Sequence, residues 1–269
     1  CLLSRGLGDV YKRQEEVPCP VPAMEAVPSR EETVDDLMIH AGGKVFVFSK
    51  RDGRLKYVRI GERTIHLGNG PRFIAARRAD RSLDQFYNHD DEKAKEKDRT
   101  YSEFPDAAVF TKLDVKQDGG DLIVTANYKL GNLDKAQWTI NPSGELALDY
   151  TYNFSGVVDL MGIRFDYPED QVISKRWLGA GPYRVWQNRI HGTQYDVWEN
   201  DYNDPIPGET FTYPEFKGYF GDVSWMNIQT KEGTISLTNE TPDTYIGVYQ
   251  PRDGRDRLLL SLIHISEPT

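Results

Sequence analysis

The stretch DLIVTANYKL, residues 121–130, decides the fold. Leu122, Val124, Ala126, Tyr128 and Leu130 alternate with Ile123, Thr125, Asn127 and Lys129. A period of two puts the first set on one face of a strand. Upstream, VFTKLDVKQ (109–117) meets it across Asp118-Gly119-Gly120, a hairpin signal. Downstream, Gln137 to Ile140 and ELALDYTYNF (145–154) are joined by Asn141-Pro142-Ser143-Gly144, and Leu146, Leu148, Tyr150, Tyr152 and Phe154 share a face. VFVFS (45–49) and LKYVRI (55–60) flank the turn Arg51-Asp52-Gly53. Further strands are expected over 161–167, 173–179, 222–230, 233–239 and 244–250. Many antiparallel strands at short spacing predict an all-β sandwich or barrel. The best helix candidate, DDEKAKEKD (90–98), is too charged to bury a face and reads as a solvated loop or short surface helix.

The two ends read differently. One choice of synonymous codons for RGLGDVYKRQ (5–14), read on the opposite strand, spells LSLIHISEPT (260–269) at all ten positions. Two native termini have no reason to encode each other's complement, whereas both strands of one synthetic DNA do. Residues 1–14 and 260–269 are therefore expected to be translated sequencing adapter, set aside as a tag would be. Residues 15–36, with four prolines and many acids, read as a linker or extended segment. The domain is expected over 37–259, incomplete at its C-terminal end and derived from environmental DNA. The compartment stays open between bacterial cytoplasm and periplasm.

The chain carries a formal net charge of −9. Such a balance argues against a phosphate backbone as partner, because nucleic-acid binding needs clustered Lys and Arg. Without Cys1, Cys19 is the sole cysteine, which leaves no internal disulfide. No run reaches the ~18 apolar residues of a membrane span.

The densest segment is 177–225, with four of the five tryptophans and five tyrosines among Arg, Asn and Asp. Aromatic faces stack on the C–H face of a pyranose, and planar polar groups bind its hydroxyls. The competing reading of the same aromatics is sandwich core, with Gly-Pro marking a turn.

WLGAGPYRVWQNR (177–189) resembles the Gly-x-Gly-Pro…Asn/Asp-Arg signature of the C-terminal "small chain" domain of family 2 glycoside hydrolases, the β-galactosidase type. VWENDYN and YPEFKGYFGDVSW are similar to that domain's tyrosine loop and following strand, and FSKRDGRLKYVRIGERTIHLGNGPRFIAARRAD (48–80) to its opening. The resemblance implies a large antiparallel supersandwich, similar in fold to aldose 1-epimerases. It implies that the parent hydrolyses a terminal β-galactoside-like bond with retention, using two glutamates of a (β/α)8 barrel that lies outside this chain. No catalytic residue is then expected here, and no cofactor or metal. The partners implied are carbohydrate and that barrel, with neither nucleic acid nor membrane. The residues expected to touch sugar are Arg184, Trp186, Asn188, Arg189, Trp198 and Tyr202. The alternative is a stand-alone carbohydrate-binding or epimerase-like sandwich.

An epimerase-like mechanism would need a His acid and a Glu base. The sequence offers His40, His66, His89 and His191, the last near Glu199, Glu209 and Glu215. Glu199, Asp201 and Asp204 lack the turn glycine of a calcium loop and read as a polar loop, and His89-Asp90-Asp91 lies in the charged stretch. Asn153 and Asn239 match the short glycosylation pattern, which is common by chance.

Overall fold

The computed structural model describes residues 26–78, 101–104, 106–158, 160–183, 191–201, 219–249 and 257–265. In chain order the strands are β1 (Ser29–Glu32), β2 (Asp36–Ala41), β3 (Lys44–Ser49), β4 (Leu55–Ile60), β5 (Arg63–Gly70), β6 (Arg72–Arg78), β7 (Tyr101–Glu103), β8 (Val109–Asp118) and β9 (Asp121–Lys129). They continue with β10 (Leu133–Ile140), β11 (Leu146–Tyr152), β12 (Leu160–Pro168), β13 (Val172–Gly181), β14 (Gln194–Asp201), β15 (Trp225–Thr230), β16 (Thr234–Thr238), β17 (Tyr245–Tyr249) and β18 (Arg257–Ile265). Among the described residues the only helical piece is a 3-10 turn, Glu169–Gln171. The all-β reading holds.

Four antiparallel sheets result. Sheet A is the meander β1-β2-β3-β4-β5, and sheet C the meander β11-β10-β9-β8. Sheet B, in the order β17-β18-β12-β6-β7, gathers strands from distant parts of the chain, and sheet D has the order β14-β13-β15-β16.

The alternation of 121–130 works as its pattern dictates. Leu122, Val124, Ala126 and Tyr128 are buried, and Trp138 and Ile140 join them from β10. Leu130 departs from the expectation. The chain turns there through Leu130 (φ 58) and Gly131 (φ 67), so the side chain leaves the strand face and is exposed. Facing sheet C across the sandwich are Leu37, Ile39, Phe46, Phe48, Leu55 and Val58 of sheet A. A second cluster joins Tyr167, Trp177, Phe220, Met226, Ile228, Ile246 and Val248, where sheet B meets sheet D. A third packs Phe73 and Ala75 of β6 on Ala126, Tyr128, Leu133 and Ala136 of sheet C.

Strand β12 joins these clusters. Alternate residues share its inner face. Of these, Met161 packs in the third cluster, Phe165 touches both of the others, and Tyr167 lies within the second.

Two segments differ from the simplest sequence picture. Ser29–Glu32, inside the Pro-rich stretch, pairs with Leu37–His40 as an edge strand. All four of its residues are exposed, so it carries no apolar period for a sequence reading to find. At the other end, β18 pairs with β12 (Leu160↔Ile265) on one side and with β17 (Tyr245↔Ile263) on the other. Six of its nine residues are Leu or Ile. A short continuous apolar run suits an interior strand whatever DNA encodes it. The segment 90–98, Cys19 and His89 lie outside the described residues.

Burial also fixes how the fold responds to base. Burial pushes the phenol of Tyr128 up to about 12, with Arg54 pulling it down and Asp52 and Asp106 pushing it up. Burial, then Tyr152, pushes Tyr150 up to about 12. An unfolded tyrosine loses its proton near pH 10. Between those values the folded chain holds protons that the unfolded chain has lost. The contribution is therefore complete below pH 10 and disappears as pH rises towards 12. Urea melts at stepped pH are expected to show stability falling steeply over that window, by about 1–2 kcal/mol for each of the two phenols.

Candidate functional site

The Gly-x-Gly-Pro signature ends β13, and its glycines are there for close approach. A Cβ on Gly179 would meet the backbone of Val223 at 2.9 Å, and one on Gly181 would fall within the indole of Trp198. The bare backbone lets Ala180 N–H donate to Gly221 O (3.1 Å) and Ser224 N–H to Leu178 O (2.9 Å). Trp177 is fully buried, with its ring centroid 4.6 Å from that of Phe220, and its Nε1 donates to Ala180 O at 3.0 Å. Trp198 opposes it on β14 and is partly buried, its Nε1 donating to Gly179 O (3.2 Å). Asn200 Nδ2 donates to Pro182 O at 3.0 Å. Lys175 is buried, its Nζ donating to Asp201 O (2.8 Å) and lying 5.5 Å from the Phe220 ring centroid.

Of the residues expected to touch sugar, Trp198 is thus held edge-on by the backbone carbonyl of Gly179 and laid against Gly181, on the inner face it shares with Trp177, where it packs against the second cluster. Arg184, Trp186, Asn188, Arg189 and Tyr202 lie outside the described residues. The chain enters β14 at Gln194, opposite Gly181, and leaves it at Asp201, opposite Ser174. At ~3.3 Å per residue, more than 20 Å of strand separates these ends.

Register fixes what the outer face of sheet D presents. One row runs Val197, Leu178, Trp225, Thr238, and the next runs Glu199, Arg176, Asn227, Ser236. Tyr195 is 58 % and Val197 41 % exposed, and Tyr195 Oη lies 2.6 Å from Ser224 Oγ. Apolar and planar polar side chains therefore lie side by side on an open face. Trp225 belongs to this face, and the alternation Trp225, Asn227, Gln229 was the signal that could have found it.

Two further constellations escape sequence reading, because their members lie far apart in the chain. The first surrounds Gly70-Pro71. Asp106 receives Arg72 Nε at 3.3 Å and Arg54 Nη2 at 3.5 Å. Arg72 Nη1 also approaches Asp166 Oδ2 (4.0 Å), and Arg164 Nε lies 3.8 Å from Asp166 Oδ1. The Asp106 side chain is only 6 % exposed. The alternating charges of Arg164 and Asp166 in an otherwise apolar strand were its one signal.

The second constellation joins three sheets. Glu232, in the turn from β15 to β16, accepts from His66 Nδ1 (2.7 Å) and the His66 backbone N–H (3.1 Å) on β5, and from Tyr167 Oη (2.7 Å) on β12. Burial pushes the Glu232 carboxyl up, but the bonds from His66 and Tyr167 outweigh it and hold it below the usual carboxylate value. Burial pushes the Tyr167 phenol well up. Beside the exposed His40–Glu31 pair on sheet A (3.6 Å), this is the second histidine–glutamate pair that the fold brings together among the described residues. Its members touch each other rather than flank a gap, and His191 is exposed. Among the described residues no three His, Cys, Asp or Glu side chains group as metal ligands.

Residues 40–265 match the family model described as the beta galactosidase small chain. No curated protein matches the chain.

Proposed function

The chain belongs to the β-galactosidase small-chain family of glycoside hydrolase family 2, and from that premise we propose that it is the C-terminal, non-catalytic domain of a retaining glycosidase. In such an enzyme two carboxyls about 5 Å apart act as nucleophile and acid/base. A (β/α)8 barrel encoded upstream supplies them. The small-chain domain packs on that barrel and walls one side of a cleft for a terminal β-galactoside. Arg184, Trp186, Asn188, Arg189, Trp198 and Tyr202 are its sugar-facing candidates.

The observation that carries this reading is the family match over 40–265, which spans all four sheets. The outer face of sheet D supports it. An exposed apolar patch beside polar residues is what a domain offers to a neighbouring part or a sugar ring.

The test is the DNA on either side. Amplifying the source outward from codons 15 and 259 is expected to find, upstream and in frame, a barrel with two glutamates at strand ends. A start codon or signal peptide immediately upstream would overturn the proposal in favour of a stand-alone sandwich.

A further inference from the structure

Beside the Glu232 rivet the surface opens into a pocket of about 400 Å³, lined among others by Arg63, Thr64, Ile173, Gln229, Lys231 and Glu232. That size falls within the roughly 300–1,000 Å³ of small-molecule sites. Its framework is built before any ligand arrives. Thr230 Oγ1 donates to Gly233 O (2.6 Å) and accepts from the N–H groups of Glu232 (3.2 Å) and Gly233 (3.0 Å). Lys231 N–H donates to Gln171 O at 2.8 Å. With Glu232 tied to β5 and β12, the turn is pinned from three sheets. Arg63 and Lys231 therefore extend from fixed backbone.

The charges in the pocket do not cancel one another. Glu232 is its only carboxylate, and both of its oxygens are taken by His66 and Tyr167. Arg63 and Lys231 make no ion pair among the described residues. Gln229 Oε1 accepts from Thr234 Oγ1 (2.8 Å), which leaves its amide N–H groups without a partner among the described residues. Ile173, 49 % exposed, adds an apolar wall. Two cations, an amide donor, the Thr64 hydroxyl and a hydrocarbon surface match one ligand chemistry. It is a carboxylate on a small hydroxylated body with one apolar face.

We infer that this pocket, between β5 and the turn from β15 to β16, binds a small hydroxylated carboxylate of sugar-acid size. The site is independent of the proposed function, since a stand-alone sandwich would carry it too.

The test is calorimetric titration of the full chain at constant ionic strength with three probes. D-galacturonate carries carboxylate and hydroxyls, acetate the carboxylate alone, and D-galactose the hydroxyls alone. Galacturonate is expected to saturate, and the other two to bind at least about tenfold more weakly. Arg63→Gln and Lys231→Gln are each expected to weaken galacturonate about tenfold, since each removes a charge-assisted hydrogen bond. Both side chains are exposed, so the melting temperature without ligand stays unchanged. No saturation by galacturonate, equal binding of acetate or galactose, or full affinity in a variant carrying both Arg63→Gln and Lys231→Gln would each overturn the assignment.

Discussion

Trp177→Ala is expected to cost the domain about 3–5 kcal/mol, the range for removing a fully buried tryptophan. Trp177 is 0 % exposed and in ring contact with Phe220, and its cluster ties sheet B to sheet D. Truncation removes the indole, opens a cavity in that cluster and leaves the Ala180 carbonyl without its donor. In a chain of this size, such a loss lowers the melting temperature by roughly 10 °C. Thermal unfolding followed by circular dichroism reads it directly. Trp177→Phe keeps part of the volume and is expected to fall between. If the alanine variant melts within a degree or two of the parent, Trp177 is not an anchor of this interface.

The second large effect is expected at Asp106. Asp106→Ala leaves Arg54 and Arg72 facing one another without the carboxylate between them, in a place where Asp106 itself is 6 % exposed. Breaking a buried ion pair from one side costs about 3–5 kcal/mol, because the remaining charge is stranded. The two arginines keep some solvent contact, which puts the expectation near the lower end. Arg54 Nε already lacks a hydrogen-bond partner within its buried surroundings. Urea unfolding at low and high salt separates this network from an ordinary surface pair. The loss is expected to persist at high salt, since buried charges are little screened. A loss that vanishes in salt would mean that the pair is solvated.

How much could be read from the sequence depended on where burial fell. In β9 the inner face is apolar and the outer face, Ile123 apart, polar, so a period of two was visible at once. β14 gave no such signal. It is an edge strand, and Gln194 to Val197 are exposed on both faces, so QYDVWEND has no alternation to detect. β10 begins at Leu133, before the expected Gln137, because Asp134 and Lys135 mask the start of the strand. The aromatics of 177–225 do not all take one side of the fold. Trp177 and Phe220 are core, while Trp225 and Tyr195 belong to the outer side of sheet D. The Asp106 network and the Glu232 rivet could not be foreseen. Each needs partners that only the pairing of remote strands brings within reach, as when Asp106 meets Arg54 and Arg72, or Glu232 meets His66 and Tyr167.

The contrast between the meanders and sheet B sets a timetable for assembly. Sheets A and C are runs of consecutive hairpins, so each can close as soon as its own stretch of chain exists. Sheet B cannot. Ala75 waits for Met161, and Asp166 waits for Leu259. Contacts so remote along the chain are slow to form, because loop-closure entropy is lost before any pairing rewards it. Since β12 carries side chains into all three clusters, its late arrival is the event that joins sheets B and D to the sandwich of sheets A and C. Amides of β9 and β10 should then gain hydrogen-exchange protection before those of β12.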